Sequence, residues 1–242
     1  MNIIYVLKKI KQHGFKKSIE IAKKLFFIYF FISKKSYSEL GEDIIIECYC
    51  PGKKGFYVDI GAYHPKRYSV TRMFYKKGWN GINIEPNPDL IKAFYKMRKR
   101  DINLNIGVSD ENGELNYYYY GKNASGNTFD EERYKMLNRK AEKVLKLKVD
   151  TLNNIFDKNL PEDMIIDFLT IDVEGYEFKI LQSLNYEKYS PKLIWVEDLS
   201  YGRGNKDFMD LIDSKLYKLL KSKGYIVVAK TWYTILFKKI EQ

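Results

Sequence analysis

The stretch Phe56-Tyr57-Val58-Asp59-Ile60-Gly61-Ala62 decides how the rest of the chain is read. An apolar run closed by glycine predicts a buried strand over Gly55 to Ile60 that leaves the sheet through a turn. Outward from it, short apolar runs alternate with helical patterns, the signature of a parallel α/β sheet. A helix is expected near Ser69 to Lys77, a second strand at Gly81 to Ile84, a helix to about Met97 and a third strand over Ile102 to Val108. A fourth strand, Phe168 to Val173, precedes a helix from Tyr176 to Leu184. A fifth, Lys192 to Val196, runs into Glu197-Asp198.

Three segments stand outside this alternation. Between residues 113 and 150 polar and apolar residues alternate, as in exposed strands, around the Gly/Asn/Ser-rich loop Gly121 to Thr128; this reads as a β insertion whose loop is a substrate-lid candidate. Near the C-terminus, one long amphipathic helix over Phe208 to Ser222 is expected, followed by two strands, Tyr225 to Lys230 and Thr234 to Ile240, joined by a short turn. Upstream, Ser36 to Cys50 reads as a helix that Ser38 can cap, with Glu39, Glu42 and Asp43 in its early turns. Cys48 and Cys50 lie two apart there, unable to face each other, and are expected to be packed small apolar residues of a reducing compartment.

At 242 residues with 21 Tyr and 14 Phe, the chain has material for one globular α/β domain over residues 36–242, and the first 35 residues read as a basic arm. The formal charge of +11 is concentrated in that arm, which holds nine Lys and one Glu, so the rest carries only +3. That distribution argues against a nucleic-acid groove across the domain. The arm's apolar run Leu25 to Ile32, flanked by Lys23-Lys24 and Lys34-Lys35, is too short to span a bilayer and lacks signal-peptide features. Two readings are open: a helix lying in an anionic membrane surface, or a helix packed on the domain. The expected location is cytoplasmic, peripheral at the inner face of the membrane on the first reading.

In open parallel sheets, ligands sit beyond the carboxyl ends of the strands where strand order reverses. Asp59-Ile60-Gly61 ends the first strand, and Glu85 ends the second, where an acid can accept hydrogen bonds from ribose hydroxyls. The chain has no Gly-x-Gly-x-x-Gly and no Gly-x-x-x-x-Gly-Lys-Ser/Thr, so the usual pyrophosphate and triphosphate cradles are missing. A nucleoside without phosphates fits better, S-adenosylmethionine being one, with Asp59 near its amino-acid end and Glu85 on its ribose.

Further motifs fall in order along the chain: Ser38-Glu39-Leu40-Gly41-Glu42-Asp43, Val58-Asp59-Ile60-Gly61-Ala62-Tyr63-His64-Pro65, Ser69-Val70-Thr71, Gly78-Trp79-Asn80-Gly81-Ile82-Asn83-Ile84-Glu85-Pro86-Asn87-Pro88 and Ile171-Asp172-Val173-Glu174-Gly175-Tyr176-Glu177. Together they resemble the FkbM-type methyltransferases over about Ser38 to Leu184. Many methyltransferases have a second glycine after the first strand; this chain has His64-Pro65 there. The resemblance implies a class I methyltransferase fold, Rossmann-like, with a seven-stranded, mostly parallel sheet, an antiparallel last strand and helices on both faces. It also implies O-methylation of a sugar hydroxyl on a surface polysaccharide or its precursor. An RNA or protein methyltransferase, or a non-catalytic membrane-attached binding module, are the alternatives.

Candidate residues follow from these positions. The donor site is expected to use Asp59, Gly61, Ala62 and Glu85, with Ser69 and Thr71 either touching the donor's carboxylate or capping the next helix, and Ser109 and Asp110 near its adenine. Asp172, Glu197 and Asp198, at the ends of the fourth and fifth strands, are hard oxygen donors suited to Mg²⁺ held with substrate oxygens. Asp172 and Glu174 are catalytic candidates that could equally organise the following helix, and His64 is a candidate base that could equally be an ordinary polar contact. The Tyr117 to Tyr120 run is expected either to stack on a sugar or to line an exposed strand.

Overall fold

A computed structural model describes residues 35–52, 54–199 and 208–240. The chain divides into two compact units, 1–35 and 36–242; the interfacial helix expected in the arm lies outside the described residues. No helix among the described residues is long and apolar enough to cross a membrane.

The second unit is built on β1 (Phe56–Ile60), in which every residue is buried. It pairs in parallel with β2 (Asn80–Ile84) on one side and with β7 (Phe168–Ile171) on the other. β3 (Ile102–Leu104) extends the β2 side; β8 (Leu193–Glu197), β10 (Thr234–Lys239) and β9 (Tyr225–Lys230) extend the other, giving the order β3-β2-β1-β7-β8-β10-β9. β10 lies antiparallel between β8 and β9. Chain order runs outward one way through β2 and β3 and the other way through β7 and β8, so the reversal falls between β1 and β7.

Alternation along the strands sends Phe56, Val58, Ile60, Leu169, Ile171, Ile194 and Val196 to one core layer. Tyr57, Phe168, Leu193, Trp195 and Leu236 go to the other. The second layer is closed by Met73 and Phe74 of α2 (Arg72–Lys76) and by Trp79, with Phe74 4.7 Å from Phe168 between ring centres. α1 (Glu42–Tyr49) and α3 (Ile91–Met97) complete this half of the chain.

A second sheet of three strands has β6 (Lys143–Thr151) between β4 (Gly107–Ser109) and β5 (Gly113–Tyr119). The strand expected over Ile102 to Val108 is thus two strands in different sheets. Asn105 stands between them, its Nδ2 donating to the carbonyls of Glu85 and Pro86 at 2.9 Å each, which draws the chain over the end of β2 before β4 begins. The tyrosine run is buried, contrary to an exposed strand: Tyr117 packs on Phe129 with ring centres 4.7 Å apart, and Tyr118 stacks on Tyr134 at 4.1 Å. Tyr134 belongs to α4 (Glu131–Met136), which covers that face.

Three further expectations change. Ser38 is not the N-cap residue of α1, which is Gly41 with φ 87°, but its Oγ accepts the first-turn amide of Asp43 at 3.3 Å and is paired with Asp43 Oδ1 at 2.9 Å, which Ser36 also reaches at 2.7 Å. The long C-terminal helix is broken into a 3₁₀ segment, Phe208–Asp213, and α7 (Lys215–Ser222), because Ser214 starts a new helix by accepting the Tyr217 N–H at 3.0 Å. Cys48 is exposed, and Cys50 only half-buried. α5 (Leu152–Asn159) and α6 (Glu177–Ser183) cover the opposite layer of the main sheet.

Candidate functional site

A cavity of about 530 Å³ opens over the carboxyl ends of β1, β2 and β7, within the range of small-molecule sites. Its floor at the β1 end is Asp59, Ile60, Gly61 and Ala62. Gly61 has φ 77°, a conformation that disfavours side chains, and its amide and that of Ala62 both donate to the carbonyl of Ile84, at 3.0 and 3.1 Å. This turn brings Glu85 beside Asp59.

Glu85 is held on both oxygens, Oε1 accepting the amide of Asn87 and Oε2 that of Tyr63, each at 2.8 Å. An orientation fixed in this way leaves the remaining lone pairs for a diol. Burial pushes the Glu85 carboxyl up to about 7 and the Asp59 carboxyl up to about 6, partly offset by hydrogen bonds. Beyond Glu85, Pro86, Leu90, Val108, Tyr117 and Phe129 are apolar and aromatic residues of the cavity lining. The insertion thus contributes to the cavity lining through Tyr117, from the tyrosine run already singled out, and through Phe129, which sequence reading missed.

Several expected contacts fall elsewhere. Ser69 and Thr71 are buried behind Asp59 and do not line the cavity: Thr71 Oγ1 donates to Asp59 Oδ2 at 2.7 Å, and Ser69 Oγ accepts from Arg98 at 3.0 Å. Thr71 stands at the N-cap of α2 but makes no side-chain cap, its hydroxyl being spent on Asp59. Ser109 is buried and donates to Asp110, which is exposed; Val108, one residue earlier, is the one that faces the cavity. His64 is not at the cavity wall, and its Nδ1 accepts the amides of Lys66 and Arg67 at 3.0 and 3.2 Å. Burial and neighbouring cations lower its pKa, and its Nδ1 is engaged by the two amides of the turn rather than presented to the cavity.

Opposite the donor side lies Asp172, one residue past β7. Its main chain is fixed by an N–H bond to the Ile60 carbonyl at 3.0 Å, and its carboxyl faces the cavity lumen. Surrounding protein and the carboxylates of Glu174 and Glu177 raise its pKa well above the ordinary range. Glu197, at the end of β8, is buried behind it and likewise pushed up by desolvation and by Asp172; its Oε2 has no hydrogen-bond partner among the described residues.

The carboxylates that converge within 4.8 Å are Asp172, Glu177 and Glu197, so Glu177 takes the place expected for Asp198. Glu177 is already committed, Oε1 to the amide of Val173 and Oε2 to that of Gly175, both at 2.9 Å. Asp198 is instead engaged through its amide, which donates to Tyr233 O at 2.8 Å. The expected three-ligand set for Mg²⁺ does not assemble, and no metal is assigned to it.

Glu174 also has a different part from the one expected. It has φ 60°, its carboxylate pairs with Arg133, and its carbonyl accepts from Thr128 Oγ1 at 2.8 Å. It ties the insertion to the loop after β7. Above the cavity, the Gly121 to Thr128 loop contributes Asn123, Ala124, Ser125 and Asn127, and Tyr63 Oη donates to Asn123 O at 3.0 Å across the mouth.

The sheet order, the antiparallel β10 and the paired acids at the ends of β1 and β2 define a class I S-adenosylmethionine-dependent methyltransferase. The chain belongs to the methyltransferase FkbM domain family, which matches residues 59–227. No curated protein matches the chain. Among solved structures it is similar to a TehB-like SAM-dependent methyltransferase from Corynebacterium glutamicum, at 10% identity and a TM-score of 0.41, covering 93% of this chain and 99% of that one. It is also similar to the 1,6-didemethyltoxoflavin-N1-methyltransferase of Burkholderia thailandensis, at 9% identity and a TM-score of 0.43, covering 83% and 77%.

Proposed function

We propose that this methyltransferase acts on a hydroxyl of a sugar in a surface polysaccharide or its precursor, with Asp172 as the general base. The observation that carries the reading is the Asp172 carboxyl, open to the cavity across from Asp59 and raised in pKa. A carboxylate whose proton affinity is raised by its surroundings is a stronger base toward a hydroxyl nucleophile, whose proton must leave as the methyl group arrives. Tyr68, Trp195 and Tyr233 line the same side, and aromatic surface with nearby carboxylates suits the apolar faces and hydroxyls of a pyranose.

Charge at the wall agrees with this assignment. Among the described residues, Glu39, Glu42, Asp59, Glu85, Asp172 and Glu174 line the cavity against one cation, Arg67. Such a wall favours a sulfonium over the neutral thioether left after transfer, which helps the product leave. It disfavours a polyanion, in keeping with the small net charge outside the arm.

Incubating the protein with methyl-labelled S-adenosylmethionine and a panel of methyl glycosides, nucleotide sugars and lipid-linked sugars tests the proposal. Label in a sugar ether supports it; label in RNA or protein and in none of the sugars sinks it. For the arm we propose attachment to anionic membrane, from its lysine pairs flanking an apolar run. Sedimentation with phosphatidylglycerol vesicles should fall on deleting residues 1–35, and unchanged sedimentation counts against attachment.

A further inference from the structure

Arg98 is 1% exposed, lies one residue past α3 and has no part in the cavity wall. A buried arginine costs desolvation that an apolar residue of the same size avoids, so its retention calls for a use. Its guanidinium reaches five acceptors behind β1. Nη1 donates to Tyr57 Oη at 3.1 Å and to the Thr71 carbonyl at 3.3 Å. Nη2 donates to the Pro65 carbonyl at 3.2 Å, to Ser69 Oγ at 3.0 Å and to Thr71 Oγ1 at 3.5 Å. The Thr71 hydroxyl, accepting from Arg98, passes its own proton toward Asp59 at 2.7 Å.

The counter-charge is held back. Asp101 Oδ2 stands 4.0 Å from Nη1 and is occupied by Tyr57 Oη at 2.6 Å and Asn83 Nδ2 at 3.0 Å, while Oδ1 accepts the Gly81 amide at 3.1 Å. Arg98 is therefore shared between Asp101 and the loop that runs from Pro65 to Thr71, and it bridges the two.

We propose that Arg98 is a positioning residue of the methyl-donor site: from behind β1 it fixes the Pro65 to Thr71 loop and, through Thr71, holds Asp59 oriented and ionised toward the amino group of the donor. The inference rests on the donor occupying the cradle at Asp59 and Glu85. Besides Thr71 and Arg98, the groups acting on Asp59 are Asp101 behind β1, Tyr57 on β1, Glu85 after β2 and Asp172 after β7. Of these only Arg98 is cationic. Removing it leaves Asp59 among carboxylates and a phenol, which favours protonation.

The test is calorimetric binding of S-adenosylhomocysteine to the full chain between pH 5 and 8. In wild type, affinity falls as pH drops through about 7 and then about 6, where Glu85 and then Asp59 take up protons, and the Asp59 midpoint is the lower step, isolated in a Glu85→Gln background. Arg98→Met is expected to weaken binding about tenfold at pH 7 and to move that midpoint upward by about one unit, the effect of losing one nearby opposite charge. Arg98→Lys, which keeps the charge but not the fork, should hold the midpoint and lose affinity. A role in packing alone would weaken binding equally at every pH.

Should Arg98→Met not fold, Thr71→Val carries the test, because it is isosteric and removes only the hydroxyl between Arg98 and Asp59. It is expected to weaken binding about fivefold with the midpoint displaced the same way, and where both variants fold, the double variant should lose less than the product of the two. PH-independent losses, additive losses or wild-type binding by a folded variant would overturn the proposal. Glu85→Gln separates the two failures: if it weakens binding and the Arg98 and Thr71 variants do not, the donor site stands and the role of Arg98 falls. If wild type binds no S-adenosylhomocysteine, the donor site itself falls.

Discussion

A Cβ atom placed on Gly61 would lie 1.8 Å from the carbonyl oxygen of Asp172. The glycine that turns the chain out of β1 thus serves the contact between two walls of the cavity, bringing the Asp59 to Ala62 turn against Asp172. Gly61→Ala is expected to destabilise the protein by about 3 kcal/mol, since it adds a backbone clash to a φ of 77° that side chains resist. Thermal unfolding and donor binding measured together check it; an alanine variant with wild-type Tm and affinity would show that β1 and β7 can separate at little cost.

The fold was legible because its strands are continuous apolar runs, and β1, β2, β7 and β8 all formed within a few residues of expectation. Asp59 and Glu85 were legible as strand-end acids for the same reason, and both line the cavity. What was not legible depended on contacts between distant segments. Nothing near Thr71 reveals that its hydroxyl is spent on Asp59, and nothing near Arg98 reveals that it fills the space behind that bond. Likewise, Glu177 rather than Asp198 joins Asp172 and Glu197 because Glu177 turns back to accept the Val173 and Gly175 amides, a choice made by three-dimensional geometry at the start of α6.

If Asp172 is the base, Asp172→Asn should lower kcat by about 10²- to 10⁴-fold while leaving the affinity for S-adenosylhomocysteine within about threefold. A base acts deprotonated, so kcat/KM should rise with pH through the raised pKa of Asp172 and flatten above it. EDTA should leave turnover unchanged, in line with Glu177 being bonded to main-chain amides. Turnover that EDTA abolishes and Mg²⁺ restores would replace the base with a metal.

Acidification should stabilise the ligand-free protein. Burial raises Asp59 from 3.8 to about 6, and Glu85 and Glu177 from 4.5 to about 7, so the folded state keeps protons that the unfolded state releases between those values. Stability therefore falls as pH rises from about 4.5 to 7, opposite to the usual salt-bridged carboxylate. Thermal unfolding of the protein without donor should give a higher Tm at pH 5.5 than at pH 8, and the reverse order would mean that these carboxyls are not buried as found.

Glu174 joins the insertion to the loop after β7 twice, through its carboxylate to Arg133 and its carbonyl to Thr128. Arg133→Ala removes the first tie and leaves the donor cradle, on the far side of Gly61, in place. A hydrogen bond to a charged group contributes about 1.5–3 kcal/mol, so the loop from Gly121 to Thr128 should sample open positions much more often. The expected result is a KM for the acceptor raised about tenfold, with S-adenosylhomocysteine affinity changed by less than about twofold. A variant that loses donor affinity in proportion would place the loop over the donor rather than the acceptor.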